Sequence, residues 1–292
     1  MKVRANNFRE GYFKLNDYLF FHDIYDYVRG QVTAHKFHVE LIFETANCDM
    51  DMSEINYTPS KWKQLIRTYL DNDELAVMCA RLLHYKNKGG KHKKYIPDIG
   101  MNFNKRRNAS GACLMSLTVG YNQVQGWHAE VFTRASELTM RWFMDLIFIH
   151  VLLREIGYII GFDTDECRVY WHMVSSYQSI TSMPLFLIME EKEDWLINNM
   201  PLSMDMSTPK PEKLSEWQWG TIRRYFKSFI NEGYMNFKVQ RRPIEAYKIM
   251  RGEMEPKKAI PTKELRLPDI DYINQVIDYA EEEEMFNAKG AV

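Results

Sequence analysis

Cysteine is scarce in this chain: there are four in 292 residues, and Cys48, Cys79, Cys113 and Cys167 lie far apart, with no CxxC and no Cys/His pair at zinc-finger spacing. Neither a disulfide framework nor a structural zinc is expected, and no metal site is assigned. Long apolar runs are lacking as well. The most apolar stretch, 140–153, is too short to span a bilayer and carries Arg141, Asp145 and His150. The opening MKVRANNFREGYF has no apolar stretch of the signal-peptide kind, so a cytoplasmic protein without membrane contact is expected. No repeat period and no low-complexity tract is present, which sets aside solenoids and linkers.

What is there is the composition of an ordinary folded protein, 46% hydrophobic and 26% charged, long enough for one domain over 1–292 with a substantial core. The net charge of −1 conceals an uneven distribution. From 86 to 107 eight Lys or Arg stand against one acid, Asp98, while Glu281 to Glu284 run together near the end. The basic segment suits phosphate, a nucleic-acid surface or plain solvation as a loop; the acidic run reads as a solvated helix face in a C-terminal tail over 281–292.

Hydrophobic periodicity predicts a helix over 16–29, a strand over 36–45, and a helix over 61–70 capped by Thr58 or Ser60. The segment 75–85 fits either type, and 86–104 reads as an exposed loop. A hairpin follows, with strands over 112–121 and 127–134 joined by a turn at 122–126. Ser136 is placed to cap the next helix and Gly157 to stop it. That helix is apolar nearly all round, so it belongs in the centre of the molecule. Strands over 168–173 and 186–189 and a helix over 215–230 complete an irregular mixture of types, which favours α+β: a mixed sheet packed around a long buried helix.

Asp145 lies within the most apolar segment, where an unpartnered carboxylate costs several kcal/mol. It stands eleven residues after Arg134, which stands 21 after Cys113. This order and spacing resembles the thymidylate synthase superfamily, and the Asp in particular resembles its dCMP hydroxymethylase branch. In that family a nucleophilic Cys opens a strand, an Arg-Ser-x-Asp motif follows about twenty residues later, and the pyrimidine-reading Asn or Asp lies eleven beyond the Arg. The motif here is Arg134-Ala135-Ser136-Glu137, with Ala for Ser and Glu for Asp, and Ala112 replaces the usual Pro before the Cys. Tyr177, in SSYQS, matches a Tyr that binds the deoxyribose hydroxyl, although the usual His two residues earlier is Ser175. Arg106 and Arg107 resemble the arginine pair that reaches the partner's phosphate site, and Val292 the mobile C-terminus that closes over the folate. No segment carries the family's catalytic Glu recognisably; Glu40 and Glu44 are candidates by default.

The resemblance implies a thymidylate synthase-like fold, a homodimer, a pyrimidine deoxynucleotide monophosphate as substrate and 5,10-methylenetetrahydrofolate as one-carbon donor. Cys113 would add to C6 of the base, which turns C5 into a nucleophile, with the charge of Arg134 favouring the thiolate. Arg134 and Ser136, with Glu137, Tyr177, Arg106 and Arg107, would hold the nucleotide. Asp145 would read the base. Protonated, it gives a proton to N3 of cytosine and accepts from N4, which favours dCMP over dUMP.

Plainer readings stand beside these. A free cysteine on a strand is more often a small buried residue. Glu137, Arg141 and Asp145, four apart, share a helix face and form either an ion-pair stripe or a cavity wall. His150 and Arg154 read as structural, and His172 and Tyr170 as core or surface. The leading expectation is an enzyme that hydroxymethylates dCMP, with methylation or dUMP still open. The alternative is a non-catalytic relative that binds nucleotide or nucleic acid.

Overall fold

The apolar stretch around Asp145 forms helix α4 (Arg141–Ile160), and fifteen of its residues are buried. Each large aliphatic or aromatic side chain buried there contributes about 1.5–3 kcal/mol, enough to hold an uncapped-looking segment in the centre of the molecule. The helix ends at Gly161, whose φ of 85° suits glycine, not at Gly157 as expected. Gly161 and Phe162 both donate backbone N–H groups to the Gly157 carbonyl, at 2.7 and 3.0 Å, in a Schellman-like stop.

The computed structural model describes residues 1–22, 25–28, 31–55, 57–88, 95–103, 113–179, 254–255, 260–267 and 275. Within them, strands β1 (Lys2–Ala5), β2 (Tyr25–Val28), β3 (Gln31–Phe43), β4 (Tyr95–Asn102), β5 (Leu114–Asn122), β6 (Gly126–Glu137) and β7 (Cys167–Ser179) form one sheet. Its order is β1-β3-β7-β6-β5-β4, with β2 beside β3. The β1–β3 and β6–β7 pairs are parallel and the rest antiparallel, so the sheet is mixed. Helices α1 (Phe8–His22), α2 (Pro59–Tyr69) and α3 (Asn72–Lys88) join α4. The fold is α+β, as the pattern predicts. Tyr12 of α1 stacks on Trp142, and Trp142 meets Trp171 of β7 edge-on, which fixes α1 and α4 against the sheet. Trp62 and Tyr69 of α2 close over Phe148 on the far side of α4.

Several boundaries differ from expectation. The first helix begins at Phe8, because Asn7 Oδ1 accepts the Glu10 amide at 2.9 Å and Phe8, Tyr12, Leu15 and Leu19 make one buried stripe; the later part of 16–29 is strand β2. The segment 75–85 is helical, with Asp71 accepting from the amides of Asp73 and Glu74 at its start. The expected loop over 86–104 holds the end of α3 and all of β4. The hairpin forms as predicted, with Gly126 at φ 72° closing a three-residue turn whose amides are held by Asn122 Oδ1. The strand expected over 186–189, the helix over 215–230 and the tail over 281–292 lie outside the described residues.

Inward-facing positions change parity along a line that crosses the sheet. The most deeply buried residues, 2% exposed or less, are Cys167, Val169, Trp171 and Met173, then Ser176 and Gln178 in β7; Phe43, Leu41 and Val39, then Ala34 in β3; and Ala129, Val131 and Thr133, then Ser136 in β6. Both ladders of β7 skip Val174, the β5–β6 register shifts between Leu114 and Ser116, and His38 takes a φ of 51°. A left-handed conformation at a non-glycine residue costs about 1 kcal/mol and marks a bend. Beyond it the inward set is mostly polar, with Ser136, Ser176 and Gln178 beside Ala34. Gln178 donates to Asn16 Oδ1 at 3.0 Å, and Ser136 Oγ has no hydrogen-bond partner among the described residues, so this end of the sheet is its polar end.

Candidate active site

Cys113 immediately precedes β5, and its carbonyl accepts the Arg134 amide at 2.9 Å, so the two residues face each other at the bend. Asp145, the fifth residue of α4, is 2% exposed and its Oδ2 has no hydrogen-bond partner among the described residues. Burial pushes this carboxyl up to about 7, against the opposing pull of the Tyr69 hydroxyl, the Arg141 charge and the Ser136 hydroxyl. The Asp145 charge in turn acts on the Cys113 thiol, as do Arg141 and Arg134. Cys113, Arg134 and Asp145, distant along the chain, therefore share one electrostatic environment.

The thiol does not behave as the sequence suggests. Arg134 and Arg141 both favour the thiolate, but burial and then Asp145 outweigh them, and the Cys113 pKa rises to about 11. The direction expected of Arg134 holds while the net shift is opposite. A protonated Asp145 removes the second of the two opposing causes.

Arg141 turns toward this centre. Burial lowers its pKa, but Tyr177, Cys113, Glu137 and Tyr57 outweigh that and raise it. The stripe of Glu137, Arg141 and Asp145 is thus neither a simple ion-pair ladder nor bare wall. Glu137 uses both carboxylate oxygens on the start of α4: Oε1 accepts the Thr139 amide at 3.2 Å, and Oε2 those of Met140 and Arg141 at 2.9 and 3.2 Å. The N-cap position is Met140, which caps nothing with its side chain; Glu137 at the end of β6, not Ser136, takes up the amides that lead into the helix, its longer side chain folding over the turn that Leu138 to Met140 interpose. The Glu137 carboxylate lies at this helix end, and the Arg134 and Arg141 guanidinium groups, both on exposed residues, are the positive charges beside it.

Tyr177 reaches the same centre through Arg141. Ser175, where the resemblance expects a His, is bonded by an imidazole from the adjoining strand: His35 Nε2 lies 2.6 Å from Ser175 Oγ, with its ring edge-on to Tyr177 at 6.4 Å. Arg106, Arg107 and Val292 lie outside the described residues. Glu40 pairs with Lys2 and Glu44 with Arg168 at exposed positions, and neither is drawn into this site. His150 Nδ1 bonds the Ala46 carbonyl and Arg154 the carbonyls of Thr262 and Lys263, which are structural roles. His172 stacks on Phe132.

Tyr69 and His35 are the residues that sequence spacing misses, while Arg141 shows in it only as a member of the Glu137–Asp145 stripe. Tyr69 reads as one more apolar residue on the buried face of α2, and only the fold puts its hydroxyl 3.2 Å from the Cys113 amide. Among the described residues no group of three or more His, Cys, Asp and Glu is placed to hold a metal ion, and no helix is long and apolar enough to cross a membrane. Comparison with models of known protein families gives no match, and no curated protein matches the chain significantly.

Proposed function

We propose that this chain is a thymidylate synthase-like transferase that moves a one-carbon unit to C5 of a pyrimidine deoxynucleotide monophosphate, with hydroxymethylation of dCMP as its leading form. The observation that carries the reading is the convergence of a thiol, two guanidinium groups and a buried carboxyl: Arg134, Arg141 and Asp145 all act on Cys113. The open Oδ2 of Asp145 suits a base edge that both donates and accepts, and the exposed Arg134 and Arg141 suit a phosphate. 5,10-Methylenetetrahydrofolate is the co-substrate of this reading and supplies the carbon.

The residues divide the work. Asp145 holds cytosine through N3 and N4 in its protonated form, and that same proton eases ionisation of Cys113. The thiolate then adds to C6, C5 becomes nucleophilic and bonds the methylene carbon of the folate, C5 loses its proton as tetrahydrofolate leaves, water adds to the exocyclic methylene to give the hydroxymethyl group, and the Cys113 thiolate is expelled from C6. Coupling of this kind makes a resting thiol unreactive until a base is bound. A homodimer belongs to the same reading, supported by exposed Met115, Phe132 and Val174 on adjoining strands.

A second reading, binding of nucleotide or nucleic acid without catalysis, is favoured by one observation: the resting thiol stays protonated at neutral pH. Release of tritium from C5 of labelled dCMP or dUMP, in the presence of tetrahydrofolate, separates the two. Release that vanishes in Cys113→Ala supports the transferase. No release with either nucleotide, together with salt-sensitive DNA binding, supports the second reading and rejects the first.

A further inference from the structure

Cys113 is held from two sides through its backbone. Its carbonyl accepts the Arg134 amide at 2.9 Å, and its own amide donates at 3.2 Å to the hydroxyl of Tyr69, the last residue of α2. The first bond belongs to sheet pairing; the second is a side-chain contact across 44 residues, made by a tyrosine only 5% exposed. The ring is fixed where it stands. Phe103 meets it edge-on at 6.2 Å, Phe148 lies tilted on it at 5.7 Å, and those two meet each other at 5.9 Å. Phe103 is tied in turn to the strand that Cys113 leads into, its amide donating to the Met115 carbonyl at 2.9 Å. Phe148 stands three residues beyond Asp145 on α4. The aromatic group therefore registers Tyr69 against both the start of β5 and the turn of α4 that follows Asp145.

We propose that Tyr69 is a positioning residue whose hydroxyl completes a two-sided hold on the Cys113 backbone and so aims the thiol at C6 of the base. The proposal rests on the reading of Cys113 as the nucleophile. Each of the two peptide planes that flank the Cys113 Cα is held by one of these bonds, so the direction of the Cα–Cβ bond is set and the thiol keeps only its rotation about that bond. With the Arg134 bond alone, the plane ahead of the cysteine could turn. The β5–β6 ladder gives little help at this point, because its register shifts between Leu114 and Ser116, directly after the cysteine. Attack on C6 must come from above the plane of the pyrimidine ring, and an error of about 1 Å in where the sulfur starts costs about a hundredfold in rate. Tyr69 thus acts on the reaction through a peptide group.

The whole protein labelled with nitrogen-15 at cysteine gives four backbone signals, and that of Cys113 is identified by its loss in Cys113→Ala. In Tyr69→Phe, which keeps the ring and removes the acceptor, exchange of the Cys113 amide with solvent quickens about tenfold, the change one ordinary hydrogen bond makes. The Cys79 and Cys167 amides keep their parent rates and report that the variant is folded. Placing 3-fluorotyrosine at position 69 makes the hydroxyl oxygen a poorer acceptor, and the rate falls between the two; this arm decides the matter where Tyr69→Phe folds poorly. Cys113 exchange unchanged in both overturns the hold. In the tritium-release assay, Tyr69→Phe lowers kcat about tenfold to a hundredfold and leaves KM for the nucleotide unchanged. A merely structural residue lowers the denaturation midpoint and leaves kcat of the folded protein alone, and that result overturns the positioning role even where the exchange rate moves. If the parent releases no tritium from either nucleotide, the nucleophile reading fails and the aiming of the thiol fails with it, while the exchange rates still report on the hold itself.

Discussion

The amide of Arg134 donates to the carbonyl of Cys113 at 2.9 Å, across a sheet that bends at that point. Two residues 21 apart in sequence are thereby locked together by main-chain geometry. The bend matters because a regular sheet, after the inward Ala129, Val131 and Thr133, would turn Ala135 inward and Ser136 outward; here Ser136 is the buried one and Ala135 only half-buried. The site lies where the sheet's packing rule changes phase.

Alkylation of the native protein tests the electrostatic link directly. Burial raises all four thiols, Cys79 and Cys167 to about 12 and Cys48 higher still, so Cys113, at about 11, is the first to react as pH rises. Asp145→Asn removes a charge that disfavours the thiolate and speeds modification of Cys113 several-fold in mildly alkaline solution. Arg141→Ala and Arg134→Ala slow it, with Arg141→Ala the stronger. Peptide mass spectrometry against time reads the rates, and an Asp145→Asn protein that reacts no faster than the parent would break the link.

Asp145 also imprints itself on stability. Its folded pKa of about 7 stands above the ordinary 3.8, so the folded state holds this proton more tightly than the unfolded chain. The stability tied to that proton is fully present below 3.8 and is lost as pH rises through about 7. A shift of about three units is worth about 4 kcal/mol at most. Urea denaturation across this window should show the parent losing stability relative to Asp145→Asn as pH rises; a constant difference between the two proteins would contradict the buried-acid description.

Much of this was legible in the sequence, and the limits have physical causes. The α+β class, the hairpin and the buried helix follow from periodicity, because each rests on burial within a local segment. The approach of Cys113, Arg134 and Asp145 is visible only as spacing. Ser136 looks like the cap of α4 in the sequence because the Glu at the next position reaches over an irregular turn that no short capping pattern describes. The Tyr69 hydroxyl carries no signal at all: an aromatic residue on an apolar helix face looks the same whether its polar tip is idle or bonded to an amide 44 residues away. The role of His35 beside Ser175 is hidden for a similar reason, since the pairing of β3 with β7 joins residues 140 apart.

Glu137 offers a test that separates folding from function. Three buried or half-buried amides depend on its carboxylate, so Glu137→Ala costs about 1–3 kcal/mol, read as a lower denaturation midpoint. Glu137→Gln keeps an acceptor oxygen and loses less. A Glu137→Ala protein of unchanged stability but weakened nucleotide binding would instead assign the carboxylate to the substrate.

The two glycines at the end of α4 should differ in a definite order. A Cβ at Gly157 would meet the Phe162 carbonyl oxygen at 2.5 Å, a backbone atom that cannot swing away, while Phe162 is itself stacked on Trp127 at 4.6 Å. At Gly161 a Cβ meets only the Lys86 ammonium at 2.7 Å, the movable end of a flexible chain, so the main cost is the φ of 85°. Gly161→Ala is therefore expected to lose about 1 kcal/mol, and Gly157→Ala about 2 kcal/mol or more, because the helix stop must shift. Asp145 lies about 24 Å along the helix from Gly161 by rise per residue, so neither change should alter the alkylation rate of Cys113 in protein that remains folded. Equal losses, or a Gly161→Ala protein less stable than Gly157→Ala, would mean that backbone conformation rather than the close approach of Phe162 governs how this helix ends.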